Sequence, residues 1–343
     1  MNIVNKKVGT LTWAASSDKD LDLSNSGFLT AIDLELVPTM SATDTQVSSF
    51  GYWRMIQALK IQGGSGKVYY NPSGTQMGVM MHYLNLLDHP GKSWRQLSAA
   101  ASSYLWRIQF SPRTRDVFGR DNPFDLGAAI PAMDETNLKV IWTTTANTAV
   151  NNDTTISSAT MYVTEYRVLP ENKAQEMAIK SRLMVPQSSS ESYDPGATKS
   201  DLSGTRYVPT GKFLKRIAVM ATDATAYTSA GPLFKGDQVT EFGLKLDKSG
   251  VWIIDHVRAE DIQCSQPPFD GMDVVDTPNT QSPWAPAGFY NLDLRKHGDP
   301  DFGLDTRGWG SNDLILGMTI GAYSSAEVEQ IFYEQYEPYA GRR

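Results

Sequence analysis

Hydrophobic and polar positions alternate along several short stretches of this chain. Phe28, Thr30, Ile32, Leu34 and Leu36 fall on one face of an extended segment, with Asp33 and Glu35 on the other. Phe213, Lys215, Ile217, Val219 and Ala221 repeat that phase, with Leu214, Arg216, Ala218 and Met220 opposite. A period of two marks a strand with one face buried. Comparable stretches predict strands near 28–37, 54–62, 67–71, 104–110, 138–143 and 160–169, and again at 314–320 and 331–336. Residues 1–20 read as an arm or a first strand. The expected class is all-β.

The pattern occurs twice. Phe28-Leu29-Thr30-Ala31-Ile32 matches Phe213-Leu214-Lys215-Arg216-Ile217 at a spacing of 213 − 28 = 185. The stretch from Leu59 to Tyr70 matches the stretch from Leu244 to Ile254, and 244 − 59 is also 185. Each second element reads as a hairpin, since Gly63-Gly64-Ser65-Gly66 and Asp247-Lys248-Ser249-Gly250 are turn chemistry. One spacing for two separate matches argues for two related domains. Tyr162 and Tyr166 match Phe332 and Tyr336 at a spacing of 170, so the second half has shorter loops.

Helical spacing interrupts the pattern in two places. Ser93 and Gln96 form a capping-box pair before Trp94, Leu97, Ala101 and Leu105. Gln76–Leu87 suits a helix or a strand equally. Glu171–Val185 has a weaker helical pattern, and Gln187–Gly204 is rich in Ser, Asp, Gly and Pro. The expected organisation is residues 1–170 as a first domain with an N-terminal arm and a helical insertion near 76–105, 171–204 as linker, and 205–343 as a second domain.

Composition narrows the function. The chain has 343 residues, enough for two ordinary cores. Its formal charge of −7 disfavours a nucleic-acid packing protein, and no sequence-specific nucleic-acid partner is expected. A single cysteine, Cys264, excludes an internal disulfide and a cysteine-based zinc site. No apolar run has the length of a membrane helix, and the N-terminal residues lack the apolar core of a signal peptide. A cytoplasmic site of synthesis fits these features.

The chemistry on offer is sparse. Gly63-Gly64-Ser65-Gly66-Lys67 lacks the spacing of a phosphate loop, because Ile61 stands where the first Gly belongs. The four histidines, His82, His89, His256 and His297, have no zinc spacing, and no Gly-x-Ser-x-Gly elbow occurs. No enzyme activity and no cofactor are expected. Asp299, Asp301 and Asp305 place three carboxylates in seven residues, a weak calcium candidate beside the plainer reading of a solvated acidic loop. Aromatics in loop-like sequence, namely Tyr193, Phe269, Trp284, Phe289, Tyr290 and Trp309, are candidates for an interface; the alternative is that they cap their own domain.

The paired strand motifs carry a resemblance, together with two local phrases. Gly231-Pro232-Leu233-Phe234-Lys235-Gly236-Asp237-Gln238-Val239 precedes the repeated hairpin. The stretch Leu304-Asp305-Thr306-Arg307-Gly308-Trp309-Gly310-Ser311-Asn312-Asp313 leads into a late strand. In these the chain resembles the double jelly-roll major capsid proteins of tailless icosahedral viruses, membrane-containing bacteriophages and archaeal viruses among them. The resemblance spans roughly residues 20–340. It implies two tandem eight-stranded jelly-roll β-sandwiches with short helical insertions. It further implies a homotrimer of pseudo-hexagonal outline and a place in the virion shell. The partners implied are minor capsid and vertex proteins and an internal membrane. The helix-prone stretch at 76–105 departs from the pattern and is assigned to an insertion or tower loop. Lys6 and Lys7, and Arg342 and Arg343, are paired cations at the ends, and the resemblance implies that one terminus faces the particle interior, with solvated ends as the alternative. The competing function is a secreted or surface carbohydrate-binding or glycoside-cleaving β-sandwich protein.

Overall fold

The computed structural model describes residues 1–41, 54–73, 76, 103–111, 122–147, 155–223, 238–264, 274–277, 280–282, 288–323 and 327–339. Among the described residues of the first half there are nine strands: β1 (Asn2–Thr12), β2 (Asp18–Asp22), β3 (Phe28–Met40), β4 (Ile56–Gln62), β5 (Val68–Tyr70), β6 (Tyr104–Gln109), β7 (Ile130–Pro131), β8 (Lys139–Thr144) and β9 (Ile156–Leu169). They make two sheets. One runs β1-β9-β3-β6, with β7 also paired to β3; the other runs β2-β8-β4-β5. The N-terminal residues, left open between arm and strand, are the strands β1 and β2.

Alternation builds the second of these sheets. Val140, Trp142 and Thr144 on β8 are buried while their neighbours are partly exposed. Leu59 and Ile61 on β4 lie opposite Trp142 and Val140. Burying side chains of this size contributes roughly 1.5–3 kcal/mol each. The Trp142 indole N–H donates to the Met55 carbonyl at 3.1 Å, so its polar edge is satisfied.

The central strand of the first sheet departs from alternation. Every residue from Phe28 to Leu34 is buried, including Asp33, which was expected on a solvated face. β3 lies between β9 and β6, and its register with β9 shifts between Leu29 and Ala31. A covered strand hides both faces, and Asp33 is accommodated there by an ion pair with Arg107.

The second half repeats the plan. Its strands are β10 (Met184–Tyr193), β11 (Lys199–Tyr207), β12 (Phe213–Asp223), β13 (Val239–Leu246), β14 (Trp252–Arg258), β15 (Val274–Thr277), β16 (Thr280–Ser282), β17 (Phe289–Asp293), β18 (Leu304–Asp305), β19 (Leu314–Ile320) and β20 (Glu327–Pro338). One sheet runs β10-β20-β12-β17 with β18 on β12, and the other β11-β19-β13-β14. Apart from the extra hairpin β15-β16, each strand takes the place of a strand of the first half in the same order. Registers agree too. Leu29 faces Ile130 as Leu214 faces Leu304, and Leu59 faces Trp142 as Leu244 faces Leu316. The repeat motifs thus mark equivalent strands. Their environments differ in one respect: Phe28 is buried, whereas Phe213 is half-buried beneath Arg307, whose guanidinium lies 4.3 Å from the ring centre.

Contacts divide the chain into two compact units. The first spans Met1–Ser188 and takes in the chain from Tyr336 onward; the second comprises Ser189–Ala226 and Ala230–Gln335. The stretch expected as linker, 171–204, carries the helix Lys173–Lys180, all of β10 and the start of β11. Asn172 caps that helix, its side chain accepting from the Gln175 backbone N–H at 2.9 Å. The helical insertion expected near 76–105 lies largely outside the described residues, which resume there with β6.

Candidate functional site

Of the predicted interface residues, Tyr290 lies in one core cluster of the second sandwich, and Tyr193 and Trp309 pack against it. Phe289 and Tyr290 are both buried on β17, and Tyr290 belongs to the core cluster of the second sandwich. Tyr290 packs 5.0 Å from the Phe242 ring and its hydroxyl donates to the Val239 carbonyl at 3.2 Å. Tyr193, at the end of β10, is half-buried with the Arg206 guanidinium 5.3 Å from its ring. Trp309 is half-buried against the same core and sits in a turn closed by its N–H donating to the Thr306 carbonyl at 3.1 Å. Phe269 and Trp284 lie outside the described residues.

The acidic loop is organised by its own backbone. Asp299 accepts from the N–H groups of Asp301 and Phe302 at 2.8 and 2.9 Å, and Asp305 accepts from the Arg307 side chain at 2.9 Å. The Arg307 hydrogen bond holds the Asp305 carboxyl below its usual range. Among the described residues no three His, Cys, Asp or Glu side chains converge as metal ligands would.

The charged chemistry that alternation missed lies within and between the strands. Glu165 and Arg167 on β9 pair at 2.8 Å, both essentially buried, and Glu165 also accepts from the Ser24 N–H and hydroxyl. In the second half, Glu334 on β20 meets Lys215 at 3.0 Å and Arg216 at 2.6 Å, both cations on β12. Burial drives the Lys215 ammonium down to about 8, against the pull of Glu334. Glu191 on β10 takes Arg206 and, at 2.7 Å, the Tyr333 hydroxyl. Burial alone would raise its carboxyl; the Arg206 and Tyr333 hydrogen bonds overcome that and lower it. The signal for these pairs was a charged residue inside an otherwise apolar strand, as in Phe213-Leu214-Lys215-Arg216-Ile217. Glu334 joins the neighbouring strands β20 and β12, and the Glu191–Tyr333 hydrogen bond joins β10 and β20. Nearer the N-terminus, the Lys7 ammonium stands 4.0 Å over the Tyr162 ring. Arg342 and Arg343 lie outside the described residues.

In each half the outermost strand of one sheet is also the first of that half, and it pairs with the last: β1 with β9, β10 with β20. The remaining strands interleave between two facing sheets, which is the doubled Greek key of a jelly roll. Solved structures carry the same plan. The chain is similar over 98% of its length to 97% of the STIV MCP, with 16% identity and a TM-score of 0.69. The chain has a double jelly-roll fold. A chain from the atomic structure of Sulfolobus turreted icosahedral virus aligns over 98% of this chain and 91% of its own, at 17% identity and a TM-score of 0.71. The major capsid protein of bacteriophage PM2 shares the double jelly roll over 99% of this chain and 100% of its own, at 11% identity and a TM-score of 0.51. No family model matches the chain, and no curated protein matches its sequence. What these solved structures share with it is the fold; function is argued from what the fold presents.

Proposed function

We propose that this chain is a non-catalytic major capsid protein that assembles as homotrimers into the shell of an icosahedral virion. The observation that carries the reading is the end-to-end agreement with capsid chains, 98% of this chain on 97% of the STIV MCP, over both halves of an internally duplicated plan. Two equivalent sandwiches per chain give six in a closed trimer, and closed rotational symmetry is the usual way identical chains satisfy their interfaces. Six similar sandwiches suit a hexagonal lattice. The interstrand ion pairs support a rigid building block.

In this reading the trimer buries more than ~2,000 Å² in total. Tyr193 and Trp309, with Phe269 and Trp284, belong to subunit contacts, and the exposed Tyr207 and Val251 join them. The further partners are minor capsid and vertex proteins and a membrane beneath the shell, towards which one cationic terminus faces. Synthesis takes place in the host cytoplasm. Sedimentation of the purified chain, with electron microscopy of the native source, tests the assembly. Trimers that persist on dilution and shells built of hexagonal units are expected. A stable monomer with no particles would overturn the proposal.

A further inference from the structure

Among the described residues of the second sandwich, β14 is an edge strand of one sheet and β17 of the other. Between them lies a half-open cleft of about 560 Å³, within the ~300–1,000 Å³ of small-molecule sites. Its apolar wall is Ile253, Ile254 and Val257 from β14, Leu292 from β17, and Ile262 from the short helix Ala259–Cys264.

Bulges in β14 shape the apolar wall. Leu244 pairs with Ile254 and Lys245 with Trp252, which leaves Ile253 as an extra residue. Phe242 pairs with Val257, so Asp255 and His256 stand against the single Gly243, and His256 adopts a φ of +44°. Bulges bend a strand and re-aim its side chains. Here consecutive residues, Ile253 and Ile254, both pack towards the core cluster rather than alternating.

The other end of the cleft is basic. Asp293 is engaged by Arg295, whose Nε lies 2.9 Å from both its oxygens, and Asp255 contacts His256 at 2.6 Å. Lys296 and His297 complete the lining, exposed and without an ion pair among the described residues. Asn291 adds a buried side-chain oxygen that has no hydrogen-bond partner among the described residues.

We propose that this cleft binds a single-chain amphiphile with an anionic head, its chain along Ile253, Ile254 and Val257 and its head at Lys296 and His297. The tail removes apolar wall from water, and the head supplies an anionic partner for the Lys296 ammonium and an acceptor for the His297 ring N–H. A singly protonated phosphate head also carries an O–H that the Asn291 oxygen accepts.

The test is calorimetric titration of the full-length chain with decanoate, decyl phosphate and, as neutral control, decanol. One saturable site per chain is expected for the anions, with decanol at least tenfold weaker. Replacing both exposed side chains, Lys296→Ala with His297→Ala, weakens the anions at least fivefold and leaves decanol unchanged. Ile254→Asp weakens all three probes. Stronger binding of decyl phosphate, lost in Asn291→Leu, assigns a phosphate head; stronger binding of decanoate assigns a carboxylate. No saturable binding, equal binding of decanol, or anion binding unchanged in the double variant overturns the proposal. Isolated subunits suffice, so the outcome is independent of whether the chain builds a shell.

Discussion

Arg107 on β6 grips Asp33 on β3 through two hydrogen bonds, its Nε donating to one carboxylate oxygen at 2.7 Å and an Nη to the other at 2.8 Å. The two residues are direct cross-strand partners. The Tyr166 hydroxyl, arriving from β9 on the other side, donates to the same carboxylate at 2.7 Å. Burial, aided by Asp33, raises the Tyr166 phenol. One carboxylate therefore joins three adjacent strands.

Removing one partner leaves the other charge buried. Arg107→Met is expected to cost the first sandwich about 3–5 kcal/mol. The double change Asp33→Leu with Arg107→Met restores most of that loss, because no charge is stranded. Chemical denaturation of the four proteins forms a double-mutant cycle. A double variant as unstable as the single one would show that Asp33 and Arg107 do not act as a pair.

Lys215 gives a pH dependence of defined sign. Its ammonium titrates near 8 in the folded chain, against 10.5 for an ordinary lysine. Between those values the unfolded chain binds more protons, so stability rises with pH across that window. The shift corresponds to roughly 3 kcal/mol at ~1.4 kcal/mol per unit, an order-of-magnitude figure. Lys215→Met is expected to raise the thermal midpoint near pH 7 and to flatten the slope between pH 8 and 10.5. Glu334 keeps Arg216 in that variant. Parallel slopes for the two proteins would remove Lys215 as the cause.

The two repeated hairpins fail differently when glycine is replaced. A Cβ on Gly63 would lie 2.1 Å from the Glu135 carboxylate, and one on Gly64 2.4 Å from the Thr136 hydroxyl. Gly63→Ala therefore pushes the Glu135 carboxylate away from the Tyr69 hydroxyl that donates to it and costs about 0.5–1.5 kcal/mol. Gly250 has open space around it but a φ of +65°. Gly250→Ala costs about 1–2 kcal/mol through backbone conformation alone, and Gly250→Asn recovers part of it. Thermal melts of the three variants separate the two mechanisms.

Tyr290 tests the reassignment of the β17 aromatics. Tyr290→Phe loses one hydrogen bond and is expected to cost about 0.5–1.5 kcal/mol. Tyr290→Ala opens the core beside Phe242 and costs about 3–5 kcal/mol. Sedimentation under folding conditions should show the association state unchanged in Tyr290→Phe.

Leu59 and Leu244 show what sequence could reveal. Each sits in a strand beside a tight turn, and turn chemistry and alternation are local signals that survive duplication. Phe289 and Tyr290 show what it could not. β17 is five residues long and follows Pro- and Gly-rich sequence, so a short buried strand reads as loop. β10 and β11 were hidden for the opposite reason. Both lie at sheet ends, where Ser, Asp and Glu face water without penalty, and a polar edge strand looks like a linker. Asp33 was misplaced because alternation cannot tell a solvated face from one covered by further protein. The charged pairs were invisible, since their members are 74 residues apart in one case and 119 in another. The cleft beside β14 depends on bulges, which leave no periodic trace.

The strand order also governs when this protein can finish folding during synthesis. β3 cannot complete its sheet until β9 emerges, and the first unit takes in the chain from Tyr336 onward. There the Tyr336 hydroxyl reaches the Phe110 carbonyl at 3.1 Å, the Tyr339 hydroxyl reaches Asp134 at 2.6 Å, and Lys67 pairs with Glu337. The N-terminal sandwich is thus begun first and closed last. A ribosome that stalls before Tyr336 releases a chain whose first unit lacks these contacts. Such a chain is open to proteases and chaperones, and only full-length subunits carry a completed first unit.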